Sequence, residues 1–196
     1  MMRTMRLLEA VAASAAVLVA VAPAAAQDRP SFELPAIEVM VQQSDLHQVA
    51  ISLYELPSYW KLAGDLHKQA ADNLPKNAAG QFFGYSRAAV LYFHAGEFDD
   101  ARRSMEDAAE VAEATGDVFT AANAYVDAAF VAIAEGYAGK KREFVREAIE
   151  LADSDWITAE EKADILARIE GAPAGPASAR VALAMRLGTP MTLAAD

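Results

Sequence analysis

Three glycines, Gly96, Gly116 and Gly136, recur at intervals of about twenty residues, each directly after an alanine-rich segment with helical periodicity. A glycine in that place ends a helix by taking the left-handed C′ conformation, so the spacing sets one helix length repeated along the chain. Asp117 stands where it would N-cap the next helix, and Thr158 with Glu161 has the form of a capping box. These signals predict helices over 78–95, 98–115, 118–135, 139–153 and 159–170. Upstream, Asp45 with Gln48 predicts a helix opening there and running to about Glu55. Pro57 then begins a second one, which runs to about Leu74 ahead of Pro75. A last apolar segment spans 178–187. The expected fold class is all-α.

A second regularity lies inside the first. Superposing 85–112 on 125–152 aligns Tyr85 with Tyr125, Ala88 and Ala89 with Ala128 and Ala129, and Gly96 with Gly136. Ala108, Glu110, Val111 and Ala112 then fall on Ala148, Glu150, Leu151 and Ala152. Alanine-rich sequences coincide easily, so the Tyr and Gly matches carry most of the weight. Two helices per unit and a period of about forty residues follow.

The first residues have a different logic. Arg3 and Arg6 precede an apolar run from Ala10 to Ala22, Pro23 interrupts it, and Ala24-Ala25-Ala26 offers the small residues of a cleavage site before Gln27. Residues 1–26 are therefore expected to be a secretory signal peptide of bacterial type, and the remainder a periplasmic or secreted protein. Removing Arg3, Arg6 and Glu9 makes the remainder one unit more acidic than the whole chain, whose net charge is −11. That sign disfavours nucleic acid and anionic membranes and favours a cationic partner. With no cysteine there is no disulfide and no lipid-acceptor thiol. No segment after the leader is expected to reach the roughly 20 apolar residues of a membrane span.

Tyr92, Gly96, Phe98, Ala101, Met105 and Ala108 fall in an aromatic, glycine, aromatic, alanine, large-apolar, alanine series. In this the chain resembles the tetratricopeptide repeat family. A weaker copy has Tyr54, Trp60, Ala63, His67 and Ala70; a third keeps Tyr125, Gly136, Val145 and Ala148 but has Lys141 where the family prefers a small residue. The repeats are longer than the family's, the helix-A glycine is replaced by Ala89 and Ala129, and the terminal proline is missing. The resemblance implies an antiparallel helix-hairpin solenoid, a right-handed superhelix of pairs at 44–77, 82–115 and 122–155. An extended lead-in at 27–43, capping helices within 156–188 and a loose tail at 189–196 complete the expected organisation.

The resemblance also implies where a partner would bind, because the first helix of each pair lines the family's inner face. By position that face carries Phe83, Ser86, Val90 and Phe93 from one helix and Asn123, Val126, Phe130 and Ile133 from the next. Six of the eight are apolar, and such a patch is normally covered or used. Two readings stand open: a groove for an apolar peptide or helix, or a face sealed by the lead-in or by the segment Ala179 to Met185 with Val181, Leu183, Ala184 and Met185. The basic residues with which some members of the family hold a peptide carboxylate are not at these positions.

Signals for chemistry are weak. His47 and His67 lie about equally far from Pro57, so a hairpin would bring them level, with Asp45 or Asp65 as the nearest further ligands for a metal. Ordinary interface histidines explain them more simply, since His67 also occupies a repeat core position. His94 reads as a partner for a helix C-terminus. Glu143, Glu147 and Glu150, interleaved with Arg142 and Arg146, form a solvated charged face, as do Arg102 with Glu106 and Arg103 with Asp107. Lys140, Lys141 and Arg142 cluster at a helix start, where the dipole disfavours cations, and form a candidate docking patch for an acidic partner; balancing of Asp99, Asp100 and Glu143 is the simpler account. No nucleophile elbow, phosphate loop or cysteine nucleophile is present, so no enzyme, cofactor or metal is expected. The expected function is a non-enzymatic interaction module for a protein or peptide. A self-associating scaffold that dimerises through the same patch is the alternative, and a histidine-dependent metal-binding factor a more distant one.

Overall fold

The computed structural model describes residues 37–190, so the expected signal peptide, the first part of the lead-in and the end of the tail lie outside the described residues. Eight helices follow one another: α1 (Ile37–Ser52), α2 (Trp60–Asp72), α3 (Ala79–Ala95), α4 (Phe98–Ala114), α5 (Val118–Glu135), α6 (Ala138–Ala152), α7 (Ala159–Glu170) and α8 (Pro176–Leu187). Among the described residues there is no strand, and the fold is all-α.

The three glycines end their helices in the same way. Gly96, Gly116 and Gly136 have φ of 84°, 81° and 88°, a region where a Cβ would be strained. In each case the glycine N–H and the next N–H turn back to paired carbonyls: Gly96 to Phe93 and Glu97 to Tyr92, Gly116 to Glu113 and Asp117 to Ala112, Gly136 to Ile133 and Tyr137 to Ala132. This is the Schellman arrangement, and its repetition explains the common helix length. Asp117 accepts from the Thr120 N–H at 3.2 Å, and Thr158 and Glu161 form both bonds of a capping box.

The first helix departs from expectation. It starts at Ile37, so Asp45 lies within it rather than at its N-cap, and residues 37–43 are helical rather than extended. Neither glycine nor proline stands between Ile37 and Asp45 to stop the helix from propagating backwards. The chain leaves α1 at Ser52, and a 3₁₀ turn at Pro57–Tyr59 leads into α2.

From α1 to α6 each helix packs mainly on those before and after it in the chain. Small residues permit the approach: Ala88, Ala89, Ala101, Ala108, Ala121, Ala128 and Ala129 are buried. The α2–α3 contact is closest at Gly84, where an added Cβ would meet the Ala71 Cβ at 2.8 Å and the His67 carbonyl at 2.9 Å. Around that seam two polar boxes recur one heptad apart. Tyr92 donates to Asp65 at 2.8 Å with Lys61 beside both; Tyr85 donates to Asp72 at 2.8 Å with Lys68 beside both. Lys61 and Lys68 also reach across to Asp100 and Asp107 on α4.

The equivalent of Tyr85 in the later unit, Tyr125, has no such box among the described residues; its ring stacks on Phe144 with centroids 6.2 Å apart. Its helix, α5, is buried on almost every side from Ala121 to Ala134. At 18 residues α5 is long and apolar enough to satisfy the length and composition of a membrane span, contrary to expectation. A helix that is apolar all round is also what the centre of a bundle requires, and here neighbouring helices cover it.

Candidate functional site

The eight residues expected on an inner face lie on α3 and α5 but do not line an open groove. Val90, Phe93, Val126, Phe130 and Ile133 are buried, Ser86 and Asn123 are half-buried, and only Phe83 is well exposed, at 40%. Phe93, Val126, Phe130 and Ile133 share one core with Ile165 of α7 and with Ala179 and Leu183 of α8. The face is sealed along α5 by the chain's own C-terminal helices. Burying each large apolar side chain contributes roughly 1.5–3 kcal/mol, which favours closure over leaving the face in water. Of the α8 residues named above, Leu183 points into the core, whereas Val181 and Met185 remain 62% and 82% exposed.

Polar contacts fix how α8 lies. Arg180 donates from Nε and Nη2 to the Ala134 carbonyl at 3.3 and 3.2 Å, and its guanidinium sits 4.4 Å from the Phe98 ring centre. Arg186 donates to both oxygens of Asp127, at 2.7 and 3.1 Å. Because residue 180 meets 134 and residue 186 meets 127, α8 runs antiparallel to α5. At its far end His94 Nε2 donates to the Gly188 carbonyl at 2.6 Å. His94, in the last turn of α3 as expected, thus also serves the end of α8.

Asp127 is the residue that sequence reasoning missed. It is 8% exposed and accepts from two arginines, Arg186 of α8 and Arg168 of α7, the latter at 2.7 Å. Arg168 also donates to the Asn123 side chain. Burial lowers the Arg168 pKa while Asp127 opposes the shift, and a guanidinium in this range stays charged. The signal was present: Asp127 is the only acid in the apolar stretch from Ala121 to Ala134.

A second buried polar group lies at the other end, between α1, α2 and α3. His47 and His67 meet as the hairpin predicts, with their Nδ1 atoms 2.5 Å apart, and the Tyr54 hydroxyl lies 2.5 Å from His67 Nε2. Arg87, also unremarked in the sequence, is 8% exposed, places its charge beside Tyr54 and covers the Phe83 ring at 4.1 Å. One proton assignment satisfies the chain: Tyr54 donates to His67 Nε2, and His67 Nδ1–H donates to His47 Nδ1. Burial, reinforced by Arg87, lowers the His47 pKa to about 4; burial, then His47 and Arg87, lowers that of His67 to about 3. Two nitrogens on one tetrahedral zinc stand roughly 3.3 Å apart, so as placed this pair shares a proton. Asp65 is engaged with Tyr92 and Lys61, and among the described residues no three histidines or carboxylates converge as metal ligands.

The basic patch is only partly free. Lys140 pairs with Glu143 at 3.0 Å and Glu106 at 3.5 Å, rather than with Asp99 or Asp100, while Lys141 and Arg142 enter no ion pair among the described residues. Arg102, expected on a solvated face, is instead buried and bridges α4 to Glu135 at 2.9 Å, also touching Asp99 and Glu106. Arg103 pairs with Asp99, because Asp107 is taken by Lys68. The Arg146, Glu147 and Glu150 group is exposed, as expected.

No protein-family profile, curated protein or solved structure matches this chain.

Proposed function

We propose that this chain is an exported, non-enzymatic protein-interaction module, built as a superhelix of tetratricopeptide-like helix pairs, which engages a protein or peptide partner through the face of α3 and α5. The observation that carries the reading is that this face already seats a helix. An apolar groove with charged groups at its margins is a recurrent way of recognising an amphipathic helix. The repeated Schellman ends, the packing of consecutive helices and the match of Tyr85 with Tyr125 support the repeat architecture. The signal peptide read in residues 1–26 supports export.

The test is affinity capture from the native envelope with the tagged chain, a Phe83→Asp variant that alters the exposed end of the face, and a Leu183→Asp variant that loosens its cover. Partner recovery is expected to fall with the first and rise with the second. Equal recovery of the same proteins by all three would exclude this face. A second reading, self-association as a scaffold, is favoured by the exposed Val181 and Met185, one turn apart on α8. A concentration-independent monomer in sedimentation equilibrium would remove it.

A further inference from the structure

We propose that the partner element is a short basic amphipathic helix, and that α8 is a built-in competitor for its seat on α5. The inference rests on the reading of that face as a binding surface and says what the surface takes. α8 packs chiefly on α5 and hardly on α7, the helix that precedes it. Its place is therefore set by the face and not by its neighbour in the chain. What the face reads is compact: Ala179 and Leu183, one turn apart, enter the core, and Arg186 lies on the same stripe three residues further on. Arg180 reaches the last-turn carbonyl of α5, where the helix dipole is negative. The seat thus specifies an Ala-Arg-x-x-Leu-x-x-Arg pattern.

Two features make α8 removable. Asp127 is shared by Arg186 and Arg168, so when α8 leaves, Arg168 on α7 keeps the buried carboxylate paired. The usual obstacle to separating a buried ion pair, an abandoned charge, is absent. α8 has twelve residues, a length at which a helix is marginal without its packing surface. It is held by a short Gly- and Pro-containing linker, 171–175, which keeps it at high local concentration. A partner helix with the same pattern must outcompete that tethered copy. The acidic chain, at −11, favours a basic competitor over a neutral one.

The probe is a fluorescein-labelled peptide of residues 175–190, titrated by anisotropy into the full chain and into its Leu183→Asp form. Hydrogen exchange reports whether α8 is released. The peptide is expected to bind the variant at least about tenfold more tightly than the wild type, since the tethered competitor is gone. A peptide carrying Arg186→Glu is expected to lose that binding. Equal affinity for both chains would overturn the inference, as would no binding to a variant whose α8 is shown to be released. If Leu183→Asp unfolds the chain, Arg186→Glu in the protein, at a partly exposed side chain, loosens α8 by another route and is read in the same way. Peptide binding without any change in envelope capture would leave this inference standing and sink the proposed function. Capture of a partner without peptide binding would do the reverse.

Discussion

The chain buries charge at both ends of its helical array and handles it in opposite ways. Beside α5, Asp127 is answered by two arginines from two different helices. Between α1 and α3, Arg87 has no carboxylate in ion-pair contact among the described residues and rests on a tyrosine, an aromatic ring and two histidines held neutral. The first arrangement is redundant, so one arm can be withdrawn without exposing a bare charge. The second has no slack: its members are single-copy, and their neutrality depends on pH. The C-terminal cover is thereby suited to exchange, and the N-terminal seam to holding α1, α2 and α3 in fixed register.

The largest expected effect tests the redundancy. Asp127→Ala removes the anion common to both arginines and strands Arg168, which is well buried; the cost should be about 3–4 kcal/mol in urea unfolding. Arg186→Ala leaves Asp127 and Arg168 paired and should cost under about 1 kcal/mol, while the amides of α8 exchange faster. If the two substitutions cost the same, Asp127 does not depend on both partners and the contrast between the two ends fails.

Next comes the N-terminal seam. Gly84→Ala drives a methyl against the Ala71 Cβ and the His67 carbonyl, both of which are held by α2. Overpacking of this kind costs about 1–3 kcal/mol, and the upper part of the range is expected because backbone must move. The loss should appear in hydrogen exchange across α2 and α3 while α5 and α6 keep their protection. Loosening of α5 to the same degree would show that the two ends are not separate.

How far the sequence anticipates this contrast depends on the range of the interactions. Helix ends set by a local motif, at Gly96, Gly116, Gly136 and Thr158, are legible to within about a residue because the capping groups are neighbours in the chain. The level placement of His47 and His67 follows from counting outward from Pro57. Asp45 misleads because a capping pattern needs a break before it, and the chain supplies none. The i, i+4 acid of Arg102 points to solvent, yet its decisive partner, Glu135, is on the next helix. The seat of α8 was legible as an apolar segment and an apolar face. Which of its sides would be buried was not, because Leu183 and Met185 look alike until Arg186 finds Asp127.

Acid should then separate the two ends. His47 and His67 ionise near 6.5 when unfolded but are held to about 4 and about 3 in the folded chain. The unfolded state therefore binds protons that the folded state refuses, so their contribution is complete above pH 6.5 and is lost as pH falls toward 4. The groups facing the pair are Tyr54 from the turn and Arg87 from α3, neither of which supplies a compensating negative charge. Between pH 7 and 5.5 the loss from the two histidines together should already be about 2.5 kcal/mol, seen first as faster exchange in α1. His47→Ala should reduce the pH slope, and an unchanged slope would mean that acid acts elsewhere.

The smallest expected effect concerns the Tyr, Asp and Lys boxes. Tyr92→Phe keeps the buried ring and removes one hydrogen bond to Asp65, a carboxylate that retains Lys61 as a partner and is itself partly exposed. Stability should fall by about 1 kcal/mol, with Tyr85→Phe similar through Asp72. The control is Tyr125→Phe: its ring stacks on Phe144, and removal of the hydroxyl should change unfolding by less than either box substitution. A larger effect at Tyr125 would mean that the hydroxyls do not distinguish the two repeat units, leaving the aromatic rings as what the matched positions share.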